Sequence, residues 1–287
     1  MSPLVTVWLP TYNRLHLLKR AVDSVLAQTY KNIELFIVDN GSKDGTQEFI
    51  RDLMLRHPNI RYKRFDENRG ACNARNYAIL NGEGLYATGL DDDDEFLPNR
   101  IQSLLEAFDK QDAFVCSGYY WDYGSRRKAI LSSQLSIGIN EQLNFNQASN
   151  QVFTFRNRLI ESGLFDPDLV SSQDWDMWTR LILKYGNGKR IATVSYIVHT
   201  AHDLPRITSS EDARVRGLEQ FFSKYEMYMS EQNKKCFSFF MHYTQGKCVT
   251  LMDVKRFYCK PIAVKVIKAW LASLFPYLAR KRLEILK

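Results

Sequence analysis

The chain has 287 residues, 45% hydrophobic and 25% charged, enough to bury one substantial core and inconsistent with disordered or fibrous classes. The formal net charge of +7 is unevenly placed: residues 255–287 hold nine Lys and Arg against one acid, Glu284, while the other positions hold 30 basic and 31 acidic residues. A near-neutral body removes the main support for nucleic-acid binding and confines the basicity to a tail.

Residues 4–9 are apolar and run into Pro10, the signature of a strand and its end; the run is too short for a signal peptide and has no basic leader. Residues 14–28 carry Leu17, Leu18, Ala21, Val22, Val25 and Leu26 at helical spacing. Residues 33–38 read as a strand buried on both faces. A helix at 44–57, a strand at 60–65, a helix at 74–80 and a strand at 85–90 follow. This alternation with short loops predicts a doubly wound, mostly parallel α/β sheet, which binds its ligands beyond the carboxyl ends of the strands. Residues 11–13, 39–42 and 91–94 all fall at such ends.

Beyond residue 113 the pattern is less regular. Residues 113–123 and 150–155 read as strands, with the polar stretch 124–150 as a loop over the site. Residues 174–185 form a helix with Trp175, Trp178, Ile182 and Tyr185 on one face, 190–199 a late strand, and 211–250 are mostly helical. No apolar stretch is long enough to span a bilayer. The expected organisation is an α/β domain over residues 1–210 and a helical extension over 211–287, basic and amphipathic in 255–287. The five cysteines are scattered without a Cys-x-x-Cys pair, so no disulfide framework or zinc site is indicated and the reducing cytoplasm is the expected compartment.

The densest chemical feature is Asp91-Asp92-Asp93-Asp94-Glu95, directly after a buried strand. In an extended segment Asp91 and Asp93 share a face and point together into the crevice. Carboxylates so close repel one another and call for a cation, and a divalent metal completed by substrate phosphates answers that need. A solvated acidic loop capping the helix that starts near Pro98 is the other reading of the same residues.

The stretches Leu9-Pro10-Thr11-Tyr12-Asn13-Arg14, Ser24-Val25-Leu26-Ala27-Gln28-Thr29-Tyr30 and Val38-Asp39-Asn40-Gly41-Ser42-Lys43-Asp44-Gly45-Thr46 resemble the family 2 inverting glycosyltransferases of GT-A fold. Asn68-Arg69-Gly70, Ala74-Arg75-Asn76, the acid run, Gly163-Leu164-Phe165-Asp166 and Gln173-Asp174-Trp175-Asp176 continue the match in the family's order over about residues 4–210. The likeness is to bacterial enzymes of polysaccharide and O-antigen assembly. It implies transfer of a hexose or N-acetylhexosamine from a UDP-sugar, with Mg²⁺ or Mn²⁺, to a glycan or lipid-linked acceptor.

Carried over by residue, the resemblance implies that Thr11 and Tyr12 border the base and that Asp39 accepts a hydrogen bond from its edge. Arg75 lies near base and diphosphate, Asp91 or Asp92 contacts the ribose, and Asp93 ligates the metal. Asp174 is the base that deprotonates the acceptor hydroxyl; a helix N-terminal acid favoured by the dipole is its other reading. His202, with Arg206 nearby, is the expected histidine of the metal site, with His199 as the alternative. Two positions depart from the family pattern: Asn40 where a second Asp is common, and Gln173 where Glu is common.

Residues 261–275 carry Ala263, Ile267, Trp270, Leu271 and Leu274 at helical spacing, and Arg280, Lys281 and Arg282 follow. The segment reads as an interfacial helix at an anionic membrane surface, which gives a peripheral place at the inner face of the cell membrane; a docking helix with a solvated basic face is the alternative. A nucleotide-sugar-binding protein without catalysis is the rival function, which the intact Asp93 and Asp174 disfavour. A nucleotidyltransferase would need a Gly-rich basic loop after the first strand, and residues 10–14 are not one.

Overall fold

The computed structural model describes residues 2–200 and 211–277. His202, Arg206, Arg280, Lys281 and Arg282 therefore lie outside the described residues. The strands β1 (Val5–Thr11) and β2 (Ile33–Asp39) are buried at every position, as central parallel strands covered on both faces must be. They pair in register from Val5 with Ile33 to Thr11 with Asp39, so both chain ends leave the sheet side by side. With β3 (Ile60–Arg64), β4 (Tyr86–Gly89) and the short antiparallel β9 (Thr154–Phe155) the sheet order is β3-β2-β1-β4-β9. The order reverses direction at β1, which opens the crevice between β1 and β4.

Helices cover both faces. α1 (Leu15–Leu26) and α2 (Thr46–Arg56) bury Leu18, Ala21, Val22, Val25, Ile50 and Leu53 against Val5, Val7 and Leu9. α3 (Ala71–Asn81) packs Ala74, Ala78 and Ile79 against Trp8, Phe36 and Val38 on the other face. Alternate residues of one strand thus feed two cores.

A second sheet contains β5 (Glu95–Phe96), β10 (Gly188–His199), β6 (Val115–Asp122) and β7 (Arg127–Ile130) in that order, with β8 (Leu135–Ile137) also on β10. α4 (Arg100–Ala107) lies beside it, its Arg100 fully buried between Ser117 and Ser195. The stretch expected as a loop, 124–150, instead holds β7, β8 and α5 (Ile139–Asn144). Three of the four β7 side chains are exposed, so the strand shows no apolar alternation to find. The strand expected at 150–155 shrinks to β9 plus one bridge between Phe153 and Val115, and α6 (Arg156–Glu161) follows it.

α7 (Gln173–Tyr185) joins two cores. Trp178 and Met177 belong to the cluster under the first sheet, whereas Trp175 packs with Phe221 and Tyr225 of α8 (Glu211–Tyr225) and Phe237 of α9 (Glu231–Thr244). α10 (Leu251–Phe257) and α11 (Ala263–Leu274) close a further cluster of Phe239, Phe257, Ile262, Val266 and Ala269. Among the described residues, no helix is long and apolar enough to cross a membrane.

The faces of α11 differ from the expected stripe. Val266 and Ala269 point inward and Trp270 packs against the same cluster. Val264, Ile267, Leu271 and Leu274 are exposed, and their spacing places them along one side of the helix.

Candidate active site

The loops after β1 and β2 are knitted to one another. Asn13 holds a positive φ of 52°, donates its amide to Ser42 Oγ at 2.8 Å and accepts Lys43 N–H on its side chain at 2.7 Å. Asp44 accepts the Leu15 amide and the Thr46 hydroxyl, so one carboxylate caps α1 and the start of α2. Gly41 turns at φ +85° with the backbone of residues 65–67 so close that a Cβ would meet Phe65 O at 3.2 Å.

Within this turn Asp39 is wholly buried. Its carboxylate accepts Ser42 N–H at 2.8 Å and the Tyr62 hydroxyl at 3.1 Å, and Arg64 Nε stands 3.7 Å away. Tyr62 is thereby held neutral, its pKa raised by burial and by Asp39. The residue that faces the crevice here is the next one, Asn40. Its Oδ1 is buried without a hydrogen-bond partner among the described residues, and its Nδ2 makes only a 3.5 Å contact with Gly70 O.

The crevice is a cavity of about 490 Å³, a size suited to a nucleotide-scale ligand. Thr11, Tyr12, Arg75, the four consecutive aspartates and Asp174 all line it, as do Arg14, Asn68, Gly70 and Ser172. Tyr12 stands at its mouth, 42% exposed.

The acid run is a turn rather than the extended segment expected, because Asp94 N–H bonds to Asp91 O at 3.1 Å. The carboxylates therefore take different partners. Asp91 pairs with Arg75 at 2.8 Å. Asp92 accepts the Thr11 hydroxyl at 2.8 Å and Arg14 at 3.0 Å, and Arg14 also reaches Asp93 at 3.3 Å. Asp94 accepts the Tyr196 hydroxyl at 2.9 Å and the His199 amide at 3.2 Å. Burial raises the Asp92 carboxyl to about 6; Arg14 draws it down and Asp93 pushes it up.

Asp174 stands in the first turn of α7, after Ser172 at φ 61°. Its Oδ2 accepts Asn146 Nδ2–H at 2.9 Å, and Asn146 Oδ1 accepts the Gln142 amide of α5 at 3.1 Å. Burial raises Asp174 to about 6, and Asp91 adds to this while the Trp175 amide and Arg75 oppose it. Arg75 lies within electrostatic reach of both Asp91 and Asp174; burial works against its charge, and the carboxylates outweigh it. Behind Asp174 the helix is fixed by the helical extension. Trp175 stacks on Phe221 at 4.1 Å, and buried Asp176 takes Arg180, the Tyr225 hydroxyl and Lys224, each at 2.7 Å.

The histidine expectations divide. His202 is outside the described residues. His199 stands between Glu95, 3.2 Å from Nε2, and Asp122, 3.5 Å from Nδ1, with its pKa lowered by burial and Arg20. Its neighbour Val198, not His199, lines the cavity.

Among the described residues no group of three His, Cys, Asp or Glu side chains is arranged to hold a metal. The donor set nonetheless fits Mg²⁺ or Mn²⁺, which are held by one or two carboxylates together with substrate phosphates rather than by a protein cage. Asp91 and Asp93 offer such hard oxygens on the cavity wall. Asn146 carried no signal in the sequence, and Arg14 stood in the family-like stretch 9–14 without an assigned role, since each acts through partners 28 to 79 positions away.

Comparison with known proteins bears on the whole chain. Residues 6–167 match the model for glycosyl transferase family 2. The putative colanic acid biosynthesis glycosyl transferase WcaA of Escherichia coli K12 is 34% identical over 257 residues, 87% of this chain and 91% of that protein. S. aureus TarS in complex with UDP-GlcNAc superposes with a TM-score of 0.66 at 14% identity, over 94% of this chain and 81% of that one. The mannosyltransferase PcManGT of Pyrobaculum calidifontis, in complex with GDP-Man and Mn²⁺, gives 0.62 at 18% identity over 100% and 85%. At these identities the structural likeness establishes the fold, and it bears out the expected α/β GT-A architecture.

Proposed function

The chain belongs to glycosyl transferase family 2, and on that premise we propose that it is a metal-dependent inverting enzyme that moves a hexose or N-acetylhexosamine from a UDP-sugar to a glycan or lipid-linked acceptor. The observation that carries this reading is the meeting of Asp174 and the run Asp91–Asp94 in one cavity, with Arg75 between them. Inverting transfer needs a donor end rich in charge and one base at the acceptor end.

In this reading Asp174 takes the proton of an acceptor hydroxyl as that oxygen bonds to the anomeric carbon and the bond to the diphosphate breaks. A carboxylate near pKa 6 is ionised at neutral pH yet more basic than an ordinary aspartate. Asp93, or Asp91, would hold Mg²⁺ or Mn²⁺, which supplies neutralisation of the charge on the departing diphosphate. Arg14 and Arg75 hold the acid wall in place before the donor arrives. Asn40 takes the base contact assigned by resemblance to Asp39: its free Oδ1 suits the N–H of a uracil edge and its Nδ2 the adjoining carbonyl.

The name of WcaA supports a role in polysaccharide assembly. The donors named for TarS and PcManGT carry different bases, and a guanine edge offers Asn40 the same N–H and carbonyl pair as uracil, so the UDP assignment rests on resemblance. Placement at the inner membrane face is supported by the exposed stripe Val264, Ile267, Leu271 and Leu274 beside exposed Lys255, Arg256, Lys260 and Lys268. A panel of UDP- and GDP-sugars, each assayed with chelator, Mg²⁺ and Mn²⁺, tests the proposal. Nucleotide release from a UDP-sugar only with metal supports it; full release in excess chelator, or from GDP-sugars alone, overturns the corresponding part.

A further inference from the structure

The second sheet carries a feature that the donor cavity leaves unused. Every second residue from the end of β6 into the turn after it is aromatic: Tyr119, Trp121 and Tyr123. A period of two puts Tyr119 and Trp121 on one face of the strand. The rings touch in sequence, Tyr119 to Trp121 at 6.3 Å and 76°, then Trp121 to Tyr123 at 6.2 Å and 66°.

The ladder lies beside the cavity wall. Val198, a cavity-wall residue, stands opposite Trp121 on β10, and Tyr196 opposite Tyr119. The Tyr119 phenol is raised to about 12, first by burial and then by the Asp174 carboxylate, with a smaller push from Asp94. Moving outward the ladder rises to the surface. Trp121 is 39% exposed, an indole the core does not claim. Its cross-strand partner is Lys128, and Arg126 and Lys128 are both exposed beside it.

We propose that Tyr119, Trp121 and Tyr123 form a platform on which the acceptor saccharide lies, running from the surface to the cavity at Asp174. A pyranose ring presents C–H groups on its faces and hydroxyls around its rim. An aromatic face covers the former while the rim stays free for water or for donors such as Lys128 and Arg126, so no polar group is stranded. The rings are steeply inclined to one another, so the platform accommodates one or two sugar units rather than a long flat chain. Its placement rests on the reading of Asp174 as the acceptor-side base.

The test uses the full chain and the neutral disaccharides cellobiose, lactose and chitobiose, observed by saturation-transfer NMR with UDP present. Wild type should transfer saturation to ring C–H protons of at least one disaccharide. Trp121→Ala should weaken that binding by about tenfold or more, Trp121→Phe should keep it within about threefold, and UDP affinity should stay unchanged in both. Wild type that binds none of the three, or Trp121→Ala that binds as well as wild type, overturns the platform. Donor turnover is recorded in parallel. Turnover with undiminished saccharide binding by Trp121→Ala would remove the platform and leave the transferase reading standing. Loss of binding in that variant, with no turnover by wild type, would do the reverse.

Discussion

Asn146 donates its side-chain N–H to the carboxylate of Asp174 at 2.9 Å, and Gln142 fixes which way that amide faces by donating to its oxygen at 3.1 Å. A hydrogen bond donated to a carboxylate favours its ionised form, so the Asn146 N–H should act against the rise that burial imposes on Asp174. Replacing Asn146 with Leu should move the acidic limb of the kcat/KM profile upward from about 6. Activity at pH 6 should then fall more than activity at pH 8. An equal loss at every pH would mean that Asn146 only shapes the loop.

The same carboxyl links activity to stability. The folded pKa of about 6 lies above the ordinary 3.8, so the native state binds the proton more tightly than the unfolded chain does. The associated stability is present in full below 3.8 and is lost as pH rises through about 6. Asp174→Asn cannot ionise and should be more stable than wild type at pH 8, by on the order of 3 kcal/mol, with no such gain at pH 4. Thermal melts at the two pH values read the difference; a variant less stable at pH 8 would contradict it.

Asp176, two positions on, has a structural part. It is fully buried and holds Arg180, Tyr225 and Lys224 together, which ties α7 to α8. Asp176→Asn leaves two cations facing a neutral amide and should cost about 2–4 kcal/mol in urea unfolding. A loss below about 0.5 kcal/mol, the size of an ordinary surface substitution, would show that the extension does not brace the helix through this residue.

The basic tail is not separable at residue 255. Phe257, Ile262, Val266 and Ala269 complete a core with Phe239 and Cys236, so removing residues 255–287 should expose that core and cause aggregation. The paired change Ile267→Asp and Leu271→Asp touches only exposed positions. It should leave the melting temperature within about 3 °C, and it should weaken binding to anionic vesicles. Co-sedimentation at low and high salt measures this, since the charge part is screened and the apolar part is not. Vesicle binding that the double variant retains would assign α11 a docking role alone.

Much of this architecture was legible in the residues because β1 and β2 are buried on both faces and read as mostly apolar runs, broken only by Thr6 and Glu34 before their polar ends. The glycine turn and acid run that follow such strands mark the crevice without further information. Side-chain direction at a strand end was not legible. Whether Asp39 or Asn40 faces the cavity depends on the last step of the β2 pleat and on Tyr62, which arrives from another strand. The 91–94 segment is a turn because of one backbone hydrogen bond, which composition does not encode. β7 escaped notice because its exposed Arg127, Lys128 and Ala129 give no periodicity. On α11 the spacing identified a helix correctly, yet only the packing of Val266 and Ala269 decides which side is inward.

In the proposed function Asp174 serves the acceptor end of a cavity whose other end, at Asp91–Asp94, would hold the donor. Titrating UDP, with Mg²⁺ or Mn²⁺, into wild type and Asp174→Asn, and measuring sugar transfer by both, tests it most directly. UDP affinity of the variant should stay within about twofold of wild type, and its turnover should be lower by about two to four orders of magnitude. Affinity and turnover falling together, or turnover persisting in Asp174→Asn, would contradict it.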